Sequence, residues 1–146
     1  MSIAAALGLA YAQDTFVENH CNKTLYIQSF PYKASSSGPL ATVKPGEYFG
    51  EAFRYDGSTV KISTTKLLED PLFVDYFFSN DKSIAYYSLE DQYGNPVADK
   101  HNTLGAGDGC DAFDCAANDA SCYSTANNHI VYACPRPINI TAKLCV

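Results

Sequence analysis

Apolar residues in this 146-residue chain recur at every second position in short runs, and Gly, Pro, Ser or Asn closes each run. A period of two puts alternate side chains on opposite faces of an extended backbone, so these runs read as half-buried strands. Thr24 to Phe30 alternates, with Leu25, Ile27 and Ser29 on one face, and Val60 to Ser63 follows the same rule. Leu72 to Phe78 and Ser83 to Leu89 are aromatic-rich strands. The last run sets Ile138, Ile140, Ala142 and Leu144 against Asn139, Thr141 and Lys143. Turn formers separate the runs at Ser35 to Pro39, Lys44 to Gly46, Asp56-Gly57, Gly94 to Pro96 and Gly105 to Gly109. Helix is confined to a turn at Lys66 to Glu69, before Pro71, and to a coil or two between Cys115 and Cys122. There is no internal repeat and no heptad. A chain of this length makes one domain that buries roughly 65–70% of its unfolded surface, and the implied architecture is an all-β sandwich.

Six cysteines, an even number, lie at 21, 110, 115, 122, 134 and 145. They suit three disulfides in an oxidising compartment, although the count allows 15 pairings and does not choose among them. Zinc is disfavoured because Cys110-x4-Cys115 and Cys115-x6-Cys122 lack paired C-x2-C knuckles. Residues 1–12 are apolar and end Ala10-Tyr11-Ala12, a small-x-small pattern typical of signal-peptidase sites, although a basic n-region is missing. The expectation is a signal peptide at 1–12 and a secreted domain at 13–146, extracellular or wall-associated. No later segment approaches the ~20 apolar residues of a membrane span. Asn22-Lys-Thr24 and Asn139-Ile-Thr141 are candidate glycosylation sites.

The net charge of −6 and the ten scattered basic residues exclude the cationic stripe that nucleic acid or an anionic membrane would require. Among candidate sites, Asp108, Asp111 and Asp114 gather carboxylates in one loop but do not follow EF-hand spacing, so no metal is expected. His20, His101 and His129 carry no nucleophile signature around them. Tyr48, Tyr55, Tyr86, Tyr87 and Tyr93 lie near turns, where their rings could stack on sugars or pack against a partner.

Several segments, in chain order, resemble thaumatin-like proteins. Thr15-Phe-Val-Glu-Asn-His-Cys21 followed by Thr24-Leu-Tyr-Ile looks like the opening strand pair, and Val43-Lys-Pro-Gly46 looks like a family turn. Ala85 to Asp91 with Asn95-Pro96, Gly109-Cys to Cys115, and Cys134-Pro135 through Leu144-Cys145 continue the match. The chain lacks the cysteine-rich insertion of plant members. Ile62-Ser63, Pro71-Leu72 and Phe73-Val-Asp-Tyr76 resemble the Blastomyces yeast-phase-specific protein family, also called antigenic thaumatin-like proteins.

This resemblance implies a thaumatin-like β-sandwich stapled by Cys21–Cys145, Cys110–Cys134 and Cys115–Cys122, with its terminal strands adjacent. It also implies part of an acidic glucan-binding cleft: Asp75 falls where the family has Glu, and Asp91 falls on a family Asp. Tyr86 replaces a second Asp, Ser63 to Lys66 replaces the Arg neighbourhood, and Asn127-Asn128 replaces the last Asp. Three of five positions are lost, so the expected function is binding without turnover and without a cofactor. The chain is expected to be a monomer whose Asp75, Asp91, Tyr86, Tyr87 and Tyr93 contact a cell-wall polysaccharide such as β-glucan, or an extracellular protein. The alternative is a reduced β-1,3-glucan hydrolase using Asp75 and Asp91.

Overall fold

A computed structural model of the chain describes residues 13–33 and 36–146. The expected signal peptide at 1–12 and the start of the turn at Ser35 lie outside the described residues. Eleven strands follow in order: β1 (Asp14–Asn19), β2 (Leu25–Pro31), β3 (Ala41–Val43), β4 (Tyr48–Ala52), β5 (Ser58–Ser63), β6 (Leu72–Phe78), β7 (Ile84–Glu90), β8 (Asn102–Gly105), β9 (Phe113–Cys115), β10 (Tyr132–Pro135) and β11 (Ile140–Leu144). They form two sheets, ordered β4-β1-β11-β8-β9 and β10-β7-β6-β5-β2-β3.

The alternating runs become the strands that supply the core. Leu25, Ile27, Val60, Ile62, Leu72, Val74 and Tyr76 point inward from the six-stranded sheet, and Val17, Leu104, Ile140, Ala142 and Leu144 meet them from the five-stranded sheet. Ser29 shares the inward face, and its hydroxyl is satisfied by Ser58 Oγ at 2.5 Å. Where a coil or two of helix is expected between Cys115 and Cys122, only a 3-10 turn at Ala120–Cys122 forms, capped by Asp119. The Cys115–Cys122 disulfide and strand β9 leave this short segment no room for a longer helix. The last strand begins at Ile140, not Ile138: its pairing with β1 starts at Thr15 opposite Ile140, and the Asp14 N–H before it is taken by the Asn139 side chain.

The terminal strands are neighbours. β1 runs parallel to β11, with Thr15 opposite Ile140 and Asn19 opposite Leu144, and Cys21 is bonded to Cys145 just beyond this pair. Cys110 is bonded to Cys134 and Cys115 to Cys122, the pairing that the resemblance implies. Two buried asparagines fix the ends of the first link. Asn19 Oδ1 accepts from Cys21 N at 2.9 Å, and Asn102 Oδ1 accepts from Cys145 N at 3.0 Å.

Candidate functional site: an acidic aromatic sheet face

The six-stranded sheet buries one face and leaves the other to solvent. In β6, Leu72, Val74 and Tyr76 point inward, so strict alternation sends Phe73, Asp75 and Phe77 outward. In β7, Ala85, Tyr87 and Leu89 point inward, leaving Tyr86, Ser88 and Glu90 on the outer side. The antiparallel register sets Asp75 opposite Ser88 and Phe73 opposite Glu90. Asp75 and Glu90 are thus diagonal neighbours on one surface.

Their carboxyls share a hydrogen bond. Burial raises the Glu90 pKa first, then its bond to Asp75 and the charges of Asp75 and Asp91, to about 7. Asp75 is held from its other side, with Thr59 Oγ1 donating to it at 2.5 Å and Tyr32 Oη at 3.1 Å. Burial and the Asp75 charge push the Tyr32 phenol well above its ordinary value. Asp91 begins the turn after β7; its N–H donates to Ser124 O at 3.3 Å, and burial raises its carboxyl pKa.

Aromatic rings flank these acids on both sides. Phe73 and Tyr93 meet with centroids 5.0 Å apart, and Lys61 Nζ lies 4.6 Å over Phe30 and 5.3 Å over Phe73. On the other side Phe77 stacks on Tyr86 at 5.0 Å and 18°. Residues two apart on a strand are about 6.5–7 Å apart, so the two ring groups bracket Asp75 over about 13 Å of strand. Tyr93 is 57% exposed, Tyr32 48% and Phe77 41%. Asp75 and Glu90 stand half-buried on the solvent side of the sheet, and Asp91 lines a separate small cavity with Asn95 and Tyr123. The acid pair therefore sits on an open face.

Of the residues expected to meet a ligand, Asp75, Tyr86 and Tyr93 share this face and Asp91 lies at its edge. Tyr87 does not join them. It is fully buried between the sheets, against Tyr132, and its hydroxyl donates to Asp111 O. Counting by twos back from Leu89 already places Tyr87 inward, so the signal was present in the sequence. Glu90, Tyr32, Phe73 and Phe77 are the residues that motif reading missed. Tyr48 and Tyr55 are exposed but lie on other elements. Asn22 is exposed, whereas Asn139 is half-buried and its Oδ1 accepts from Asp14 N at 2.9 Å. The three aspartates at 108, 111 and 114 do not converge with other ligand types, and among the described residues no group of three His, Cys, Asp or Glu is placed to hold a metal. Asp114 instead meets His101, and His20 meets Glu18 at 2.8 Å.

Two sheets, adjacent terminal strands and three disulfides define a compact thaumatin-like sandwich. The chain belongs to the Blastomyces yeast-phase-specific protein family, whose model matches residues 2–146. It is similar to the crystal structure of the protein elicitor MoHrip2 from Magnaporthe oryzae, with 51% identity over 92% of this chain and 100% of that one and a TM-score of 0.90. It also has the fold of the thaumatin-like xylanase inhibitor TLXI, with a TM-score of 0.66 at 12% identity over 90% of this chain and 99% of that one. No curated protein matches it.

Proposed function

We propose that this protein is a secreted, extracellular binding protein without turnover, whose outer six-stranded face holds an extended, hydroxyl-rich polymer such as cell-wall β-glucan. The observation that supports this reading most is the pairing of Asp75 and Glu90 between two groups of rings on an open face. Sugar rings present apolar faces that stack on aromatic side chains and hydroxyls that donate to carboxylates. An open face suits a chain that passes across it, whereas a small ligand needs a concave site. The acids also select against anionic polymers by repulsion. Similarity to a protein elicitor is compatible with action outside the cell.

The alternative, a reduced β-1,3-glucan hydrolase, would use Asp75 and Asp91, and burial raises the Asp91 carboxyl pKa in the direction a proton donor needs. The geometry argues against it. A glycosidase sets its two carboxyls on either side of one substrate cleft. Retaining glycosidases keep theirs about 5–5.5 Å apart and inverting enzymes about 6.5–9.5 Å, with the sugar between them. Asp75 is instead engaged by Thr59 and Tyr32, and Asp91 lies in the turn after β7 lining a small cavity that Asp75 does not reach.

The test is co-sedimentation with insoluble β-1,3-glucan, chitin and mannan. Retention on glucan by the wild type, lost in a Phe77→Ala, Tyr93→Ala double variant, supports the reading. Equal retention of both proteins, or none by the wild type on any of the three, overturns it. Release of reducing ends from laminarin, abolished by Asp75→Ala, Asp91→Ala, would establish the hydrolase instead.

A further inference from the structure

The chain has only two arginines, Arg54 and Arg136, and both line one cavity of about 330 Å³. Lys82 lines it too, with Phe53, Tyr55 and Phe78 as its apolar wall. Three of ten basic side chains in an acidic protein thus meet in one place, at the end of the sandwich where the β4–β5 loop, the β6–β7 hairpin and the start of the β10–β11 connection come together.

Two of the three cations already have counter-ions. Arg54 Nη2 lies 3.3 Å from Glu51, and Lys82 Nζ lies 3.0 Å from Asp56. Arg136 has none: among the described residues no carboxylate lies within ion-pair distance of its guanidinium. Its Nε donates to Gln13 Oε1 at 2.5 Å and its Nη1 to Lys82 O at 3.2 Å, both neutral acceptors. A guanidinium has five N–H donors, so three remain for a further acceptor. The group lies 4.0 Å over the Phe78 ring and 5.8 Å over Phe53, and burial lowers its pKa. Taking an unpaired cation out of water is unfavourable unless an anion compensates it.

The other parts of the cavity are held in place before any ligand arrives. Lys82 sits in the hairpin turn at φ 63, a left-handed conformation that lysine rarely adopts. Asp81 fixes that turn by accepting from Ser79 Oγ, Ser83 N and Ser83 Oγ at 2.7–3.0 Å. Tyr55, 79% exposed, stands at the rim with Lys82 Nζ 4.7 Å over its ring.

We propose that this cavity binds a carboxylate carried on a ring, the carboxylate pairing with Arg136 and the ring resting against Tyr55 and the phenylalanine wall. One uncompensated positive charge matches one carboxylate, and a planar guanidinium accepts it through two parallel hydrogen bonds. The apolar wall adds affinity that a bare ion would not gain. A uronic acid and an aromatic acid present the same chemistry, and the site stands apart from the acidic face discussed above.

The test is amide and Arg Nε NMR titration of the purified protein with glucuronate, benzoate, glucose and inorganic phosphate. Saturable shifts at Arg54, Lys82 and Arg136 with glucuronate or benzoate, and none with glucose, are expected, and the tighter acid identifies the source. Arg136→Gln should weaken that acid at least tenfold. Where Arg136→Gln does not fold, Lys82→Gln should weaken it severalfold, since Asp56 then faces the cavity without its partner. The proposal is overturned by shifts elsewhere only, by glucose matching the acids, by phosphate binding more tightly than both acids, or by a folded variant with unchanged affinity.

Discussion

The carboxyls of Asp75 and Glu90 meet diagonally across strands β6 and β7, and between them they hold a proton that an isolated glutamate would have released near pH 4.5. Glu90 should therefore titrate at about 7 when followed by carboxyl-carbon NMR. Replacing Asp75 by Asn removes both the charge and its acid–acid hydrogen bond, so Glu90 should move down. It should stay above the ordinary value, because burial is the largest cause of the shift. A Glu90 titration in Asp75→Asn identical to that of the wild type would contradict the pairing.

The same pair sets a slope in stability. A carboxyl whose folded pKa is raised binds more protons folded than unfolded between the two values, so stability falls with rising pH across that window. The Glu90 contribution should be fully present below about 4.5, decline as pH rises to about 7 and then level off. Its size should be about 1–2 kcal/mol after solvent screening. Urea unfolding of wild type and Glu90→Gln from pH 4 to pH 8 checks this: the variant should lose that part of the slope and be the more stable of the two at pH 8.

Why Glu90 escaped the sequence while Asp75 did not is a matter of register. Alternation tells which face a residue takes, and Leu72, Val74 and Tyr76 place Asp75 outward without help. That Glu90 lies beside it depends on Phe73 pairing with Glu90, which the β6–β7 turn decides and no local pattern encodes. The long alternating strands β2, β6, β7 and β11 were legible for the same reason that Tyr87 should have been. β8 and β9 were not. They have four and three residues, and β8 begins with the fully buried polar Asn102, which reads as a surface residue in sequence. β4, whose residues are alternately exposed and half-buried at a sheet edge, has too little apolar contrast to register. Arg136 reads as an ordinary basic residue beside a proline, and only the folded chain brings it to Arg54 and Lys82.

Asn102 should be among the costliest polar side chains to remove. Its Nδ2 donates to Val97 O at 2.8 Å, Lys100 O at 3.0 Å and Tyr123 Oη at 2.8 Å, while Oδ1 holds the N–H of Cys145. Asn102→Ala leaves several buried groups without partners, for an expected loss of about 2–4 kcal/mol. Asn102→Asp should fare no better, because it replaces the donor with a buried charge. Chemical denaturation of either variant within about 0.5 kcal/mol of wild type would contradict this role.

Two glycines give a matched comparison. Gly57 turns the chain into β5 at φ 95, and a Cβ there would overlap the Tyr76 carbonyl oxygen and lie 2.8 Å from Phe77 Cα. Gly107 has a similar φ of 105 but nothing within 4 Å. Gly107→Ala should cost only the backbone penalty of about 1–2 kcal/mol. Gly57→Ala should cost distinctly more, since β5 and β6 must also separate, and it should disturb Asp75 through Thr59. Thermal melting of the two variants side by side checks the order.

The last prediction concerns the link between the chain ends. The Cys21–Cys145 disulfide spans 124 residues, whereas Cys115–Cys122 spans 7. If a cross-link acts mainly by restricting the unfolded chain, the long loop is worth about 4–5 kcal/mol and the short one about 2–2.5 kcal/mol. The folded state reinforces this ranking. Cys21 and Cys145 close the parallel β1–β11 pair, and each has its backbone N–H held by a buried asparagine, so loss of the bond loosens both networks at once. Cys115–Cys122 ties only β9 to a short 3-10 turn. Cys21→Ser, Cys145→Ser should therefore lower the melting temperature more than Cys115→Ser, Cys122→Ser does, and it should expose the β1 and β11 amides to hydrogen exchange first. Equal losses in the two double variants would show that native contacts, not the closure of the long loop, carry the stabilisation.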